Sequence, residues 1–141
     1  MIDQNFTGRW TGEYIYGEDY PETIRGKRVA FEIDLTLANG MLQGYCTDEE
    51  VAAHFNQPAV IEGSILQNCI SFIKRYPCYW QVQEYNGPRI MPKLPSQEVQ
   101  YSGCFSEGRF EGEWEIVTVL TEDNGDIHSY KCMGYWSMQK L

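Results

Sequence analysis

Lys74 raises the first chemical question in this sequence. In Ile70-Ser71-Phe72-Ile73-Lys74-Arg75-Tyr76 it shares the phase of Ile70 and Phe72, so in an extended chain its ammonium leans to the same side as those apolar groups. An ammonium turned toward a protein interior must meet an anion, hydroxyls or water. A ligand carboxylate would serve, with Tyr14 and Tyr101 adding phenol groups and Phe31, Phe72 and Trp114 adding ring surface. The candidate ligand-binding set is therefore Tyr14, Phe31, Phe72, Lys74, Tyr101 and Trp114. Two structural alternatives stand beside it: Lys74 lies near a mouth and reaches solvent along its apolar stem, or a glutamate pairs it inside the fold.

Other chemistry-bearing residues point nowhere comparable. His54 and His128 stand apart, with no HExxH pattern and no serine or cysteine motif beside them, so no catalytic residue is assigned. Glu111, Glu113 and Glu115 share one phase opposite Phe110, Gly112, Trp114 and Ile116, which reads as a solvated face. Thr47-Asp48-Glu49-Glu50 has the form of a capping box opening a short helix to about Phe55, and acidic residues in a first turn suit the helix dipole without a metal. No metal site and no cofactor motif is expected. The five cysteines, at 46, 69, 78, 104 and 132, form no CxxC pair and are expected to be reduced, half-buried thiols.

These residues need a scaffold, and its pattern is period two. Val29, Phe31, Ile33, Leu35 and Leu37 alternate with Ala30, Glu32, Asp34 and Thr36, and Ala38-Asn39-Gly40 supplies the turn of a hairpin back through Met41 to Thr47. Further strands read from Thr7 to Tyr16, Ala59 to Leu66, Cys69 to Tyr76, Tyr79 to Tyr85, Val99 to Phe105, Arg109 to Leu120 and His128 to Met138, the last with Tyr130, Cys132, Gly134, Trp136 and Met138 in phase. Residues 17–27 read as a rim loop. Residues 86–96, with prolines at 88, 92 and 95, read as a long loop covering one end. Glycine recurs two residues from a large ring in Gly8-Arg9-Trp10, Gly12-Glu13-Tyr14, Gly103-Cys104-Phe105, Gly112-Glu113-Trp114 and Gly134-Tyr135-Trp136. That spacing suits a curved sheet closing on a crowded interior. The expected fold is all-β: an antiparallel up-and-down barrel of eight to ten strands with one short helix, residues 1–141 forming a single domain.

The chain has 141 residues and a formal net charge of −9, which disfavours nucleic acid and anionic membranes as partners. It has neither an apolar run of membrane-spanning length nor a basic, apolar start, so a cytoplasmic location is expected.

Gly8 and Trp10, the successive hairpins and the aromatic closing strand resemble the calycin superfamily of lipocalins, fatty-acid-binding proteins and avidins. Residues 70–76 followed by Tyr101-Ser102-Gly103 are also similar to stretches in bacterial lipocalin-like barrels and in the barrel of an F-box substrate receptor. The first resemblance implies that Trp10 plugs the closed end near a basic residue of a late strand, Lys131 or Lys140. It also implies that a small apolar or amphipathic molecule binds inside. The second keeps open a protein or peptide module that works through the rim loops with a filled interior, and an enzyme stands third.

Overall fold

The computed structural model describes residues 6–121 and 123–141, with backbone alone at positions 118–121, 128 and 130. Ten strands follow one another: β1 (Gly8–Tyr16), β2 (Arg28–Ala38), β3 (Met41–Asp48), β4 (Ala59–Leu66), β5 (Cys69–Arg75), β6 (Tyr79–Gln81), β7 (Arg89–Met91), β8 (Glu98–Ser106), β9 (Arg109–Thr121) and β10 (Ile127–Lys140). Eight of them close into an antiparallel barrel in the order β1-β10-β9-β8-β5-β4-β3-β2, while β6 and β7 pair with each other outside it. Each barrel strand lies beside its neighbour in the chain, apart from the β6–β7 excursion and the β1–β10 seam. This is an up-and-down barrel, and closure removes the unpaired edges that an open sheet of this size would expose.

Alternation in the sequence becomes inside and outside. On β2, Val29, Phe31, Ile33 and Leu35 are buried and the residues between them exposed. On β5 the buried set is Ile70, Phe72 and Lys74. The β2–β3 turn places Asn39 at φ 56° and Gly40 at φ 78°, the left-handed pair that lets a two-residue turn match strand twist. Outside the barrel, Arg75 bridges Glu62 and Glu98, and Arg9 bridges Glu32 and Asp34. The side chains of Tyr130 and His128 lie outside the described residues.

Two of the ring-bearing glycines show why the spacing recurs. A Cβ on Gly134 would stand 2.4 Å from the Trp114 ring, and one on Gly103 would stand 2.9 Å from Trp136. The two indoles lie across these bare backbones and donate their N–H groups to carbonyls beyond: Trp114 to Tyr135, and Trp136 to Ser102 and Glu113. Each glycine therefore admits a neighbouring ring instead of leaving space.

One end of the barrel is filled. Phe6, Trp10, Phe105 and Phe110 pack with ring centroids 5.1–6.3 Å apart, and the Trp10 indole N–H bonds to the Phe6 carbonyl at 2.9 Å. Lys140 lies across from Trp10 on β10, its side chain against Gly8. Lys131 instead pairs with Glu115 at 2.7 Å on the exposed surface. Above this plug Phe72 stacks on Tyr101 at 4.7 Å, and both meet Trp136 edge-on.

Three local expectations are corrected. No helix forms among the described residues: β3 continues through Asp48, and residues 49–54 make turns. Asp48, not Thr47, is the cap, its Oδ1 accepting the N–H groups of Glu50 and Val51 at 3.1 Å each. Val51 alone of the apolar residues in 49–54 is buried, and a single turn without an apolar face to bury does not propagate. Second, the strand expected from Tyr79 to Tyr85 stops at Gln81, and its partner, Arg89–Met91, comes from the stretch read as loop. Third, Cys69 and Cys104 are disulfide-bonded, because the β5–β8 register sets them directly opposite each other. Cys46, Cys78 and Cys132 remain thiols.

Candidate functional site

The end opposite the Trp10 plug is built on two buried carboxylates. Asp48 is the last residue of β3 and keeps that strand's inward phase, so its side chain is fully buried. Its Oδ2 accepts from Lys74 Nζ at 3.2 Å and from the Tyr76 hydroxyl at 2.8 Å. Glu50, just beyond, is nearly as buried. Its Oε1 accepts from the hydroxyls of Tyr14, at 2.9 Å, and Tyr16, at 2.5 Å, and its Oε2 pairs with Lys27 Nζ at 2.7 Å. Both carboxylates are thus paired and hydrogen-bonded, the condition for holding charge out of water.

Lys74 sits with its ammonium 4.7 Å from the centroid of the Tyr76 ring, 5.0 Å from Tyr14 and 5.9 Å from Tyr101. Ring faces attract a desolvated cation. Burial alone pulls the Lys74 pKa down, yet the surroundings of the ammonium outweigh it and the pKa lies well above the ordinary lysine value. Burial pushes Tyr76 and Tyr101 up and lifts Cys46 to about 11. At neutral pH those three groups are uncharged, and the Asp48 carboxylate supplies the charge that keeps Lys74 an ammonium.

Over this base opens a cavity of about 450 Å³. Its walls are mostly rings and branched side chains, Tyr14 and Tyr16 from β1, Tyr20 from the rim loop, Trp114 and Ile116 from β9, Val99 and Tyr101 from β8, with the Gln97 amide just before β8. The β6–β7 hairpin adds Tyr79, Trp80 and Gln81, and the adjoining Val82 completes that side. Trp80 packs edge-on to Tyr76 at 5.4 Å, and Tyr20 packs edge-on to Tyr16 at 4.8 Å, which fixes hairpin and rim loop to the barrel. Cys132, half-buried on β10, also faces the cavity. Among the described residues no three His, Cys, Asp or Glu side chains come together as metal ligands.

Of the six residues proposed from sequence, Tyr14, Tyr101 and Trp114 line the cavity. Phe72 lies behind Tyr101 and Phe31 lies against Tyr14, at 6.4 Å between centroids. Lys74 is 1% exposed and sits beneath the tyrosines. Its partner is internal, and it is the aspartate Asp48, not a glutamate. Asp48, Glu50, Tyr16, Tyr76, Trp80 and Cys132 belong to the site and are not among those six. For Asp48 a signal was present: Leu42, Gly44 and Cys46 point inward, and the next residue in that phase is Asp48.

Fold and site together define a closed eight-stranded antiparallel barrel with one filled end and one ring-lined cavity, an architecture consistent with a calycin-like fold. No protein-family profile, curated protein or solved structure matches this chain.

Proposed function

We propose that this barrel binds a small apolar or amphipathic molecule, non-covalently, in the cavity above Lys74, in the manner of a lipocalin-like carrier. The observation that carries the reading is the cavity itself. An eight-stranded barrel has room either to fill completely or to hold one small ligand. Here Phe6, Trp10, Phe105 and Phe110 fill one end, and about 450 Å³ stays open at the other. That volume falls in the range of small-molecule sites, whose walls are mostly apolar with a few polar groups.

Native mass spectrometry of protein purified from its own cell tests the proposal. A co-purified small molecule that leaves on denaturation supports it. A ligand-free barrel bound to a stoichiometric polypeptide would instead favour a protein-interaction module, a reading helped by exposed Tyr85 and Leu94 on the segments flanking β7.

A further inference from the structure

We propose that Cys69 and Cys104 form a reversible dithiol–disulfide exchange site on the outer wall of the barrel, opened and closed by a dithiol partner while the barrel stays folded. The site is separate from the cavity and independent of what the cavity binds. It lies toward the plugged end, with Cys104 next to Phe105 in the chain, on the face turned away from the interior.

Access is the first support. Cys69 and Cys104 take the outward phase of β5 and β8, and both are exposed, whereas Cys46 and Cys78 are 3% and 8% exposed. Beside the bond a row of small outward residues crosses three strands, Ser64 opposite Ser71 and Ser71 opposite Ser102. Their short side chains leave an open trough of about 550 Å³ with both cysteines in its wall. A thiolate entering the trough meets the sulfurs without disturbing the core, and exposed disulfides are the labile ones.

The second support is what remains when the bond opens. Every residue of β5 from Ile70 to Arg75 is paired with β8, and on the other side of the cysteines the Phe105 N–H donates to the Asn68 carbonyl at 2.7 Å. Behind the bond Phe72 stacks on Tyr101 across the same two strands. The backbone is thus held on both sides of the pair. The reduced thiols stay opposite each other, and closure is an intramolecular step between groups already in place.

The exchange balances as a two-electron transfer. A thiolate of the partner bonds to one sulfur of the pair, the Cys69–Cys104 bond breaks, and its electron pair leaves on the other sulfur, which takes a proton from water. The partner's second thiolate then attacks the mixed disulfide at the partner's own sulfur and releases the remaining cysteine thiolate. The barrel has gained two electrons, and the partner leaves as a disulfide. The reverse sequence, begun by a cysteine thiolate on an oxidised partner, closes the bond again.

Cys46 supplies an internal control, since its thiol is reached only when the barrel opens. The oxidised full chain is treated with dithiothreitol at neutral pH, and samples taken over time are pulsed with an alkylating agent and mapped by mass spectrometry. Cys69 and Cys104 are expected to become labelled faster than Cys46 by about a hundredfold or more. Replacing the dithiol by glutathione disulfide should then restore the Cys69–Cys104 bond as the main product. Labelling of Cys46 in step with the pair would mean reduction through unfolding and overturns the proposal. A bond that resists excess dithiol, or that re-forms with Cys132 in place of either cysteine, overturns it as well.

Discussion

Removing the Lys74 ammonium strands the Asp48 carboxylate in a place from which water is excluded. Lys74→Met should therefore destabilise the barrel by about 3 to 5 kcal/mol, the usual cost of breaking one side of a buried pair. In an Asp48→Asn background the same substitution should cost clearly less, and a double-mutant cycle by urea denaturation measures the difference. Gly134→Ala tests the other residue-scale device. Its Cβ would stand 2.0 Å from the Ile15 carbonyl oxygen and 2.4 Å from the Trp114 ring, so a loss of about 1 to 3 kcal/mol is expected from overpacking, read as a fall in the denaturation midpoint. Much at this scale was legible in the sequence. The inward phase of Phe72 and Lys74 follows from a period of two with no structure in hand. The Asp48 partner does not follow, because Thr47, Glu49 and Glu50 around it have the form of a helix start, which masks the continuation of β3. Tyr76 belonged to the same phase as Lys74, yet nothing local shows that its hydroxyl finds a carboxylate 28 residues away.

Strands and hairpins were legible where each turn and each alternation is local. β2 and β3 with Asn39-Gly40 between them carry their own register, and the glycine-ring spacing announced closure. What failed were elements whose form depends on distant partners. β7 has three residues and three nearby prolines, and it becomes a strand because Tyr79–Gln81 lies alongside. The Cys69–Cys104 bond likewise depends on β5 lying beside β8 across the whole β6–β7 excursion, a register that cysteine spacing does not reveal. That bond closes a loop with a sequence separation of 35, so loop-closure entropy predicts about 3 to 4 kcal/mol of stabilisation. Cys104→Ser, compared with the parent under non-reducing conditions, should unfold at correspondingly lower denaturant. The two proteins should converge when the parent is reduced.

At the scale of the whole molecule, the barrel holds a set of weak acids in their neutral forms, and this sets its response to alkali. Burial pushes the pKa of Tyr14, Tyr16, Tyr20, Tyr76 and Tyr101 above the ordinary phenol value of 10.0, with neighbouring Asp48 and Glu50 adding to the rise in Tyr14. Cys46 rises from 9.0 to about 11 for the same first cause. In the unfolded chain these groups ionise at their ordinary values, so above those values the unfolded state binds fewer protons than the native one. Stability then falls as pH rises. The Cys46 contribution is present in full below about pH 9 and is lost toward 11, and the phenols begin to add their share near 10. Denaturation midpoints measured across this range should drop with a steepening slope. The tyrosinate absorbance of the buried set should appear together with loss of the folded signal, since these phenols ionise when the barrel opens. Full ionisation of all the tyrosines in a chain that still denatures cooperatively would overturn this account. Phe substitutions at Tyr16 and Tyr20 should flatten the slope, because each removes one proton from the balance between the two states.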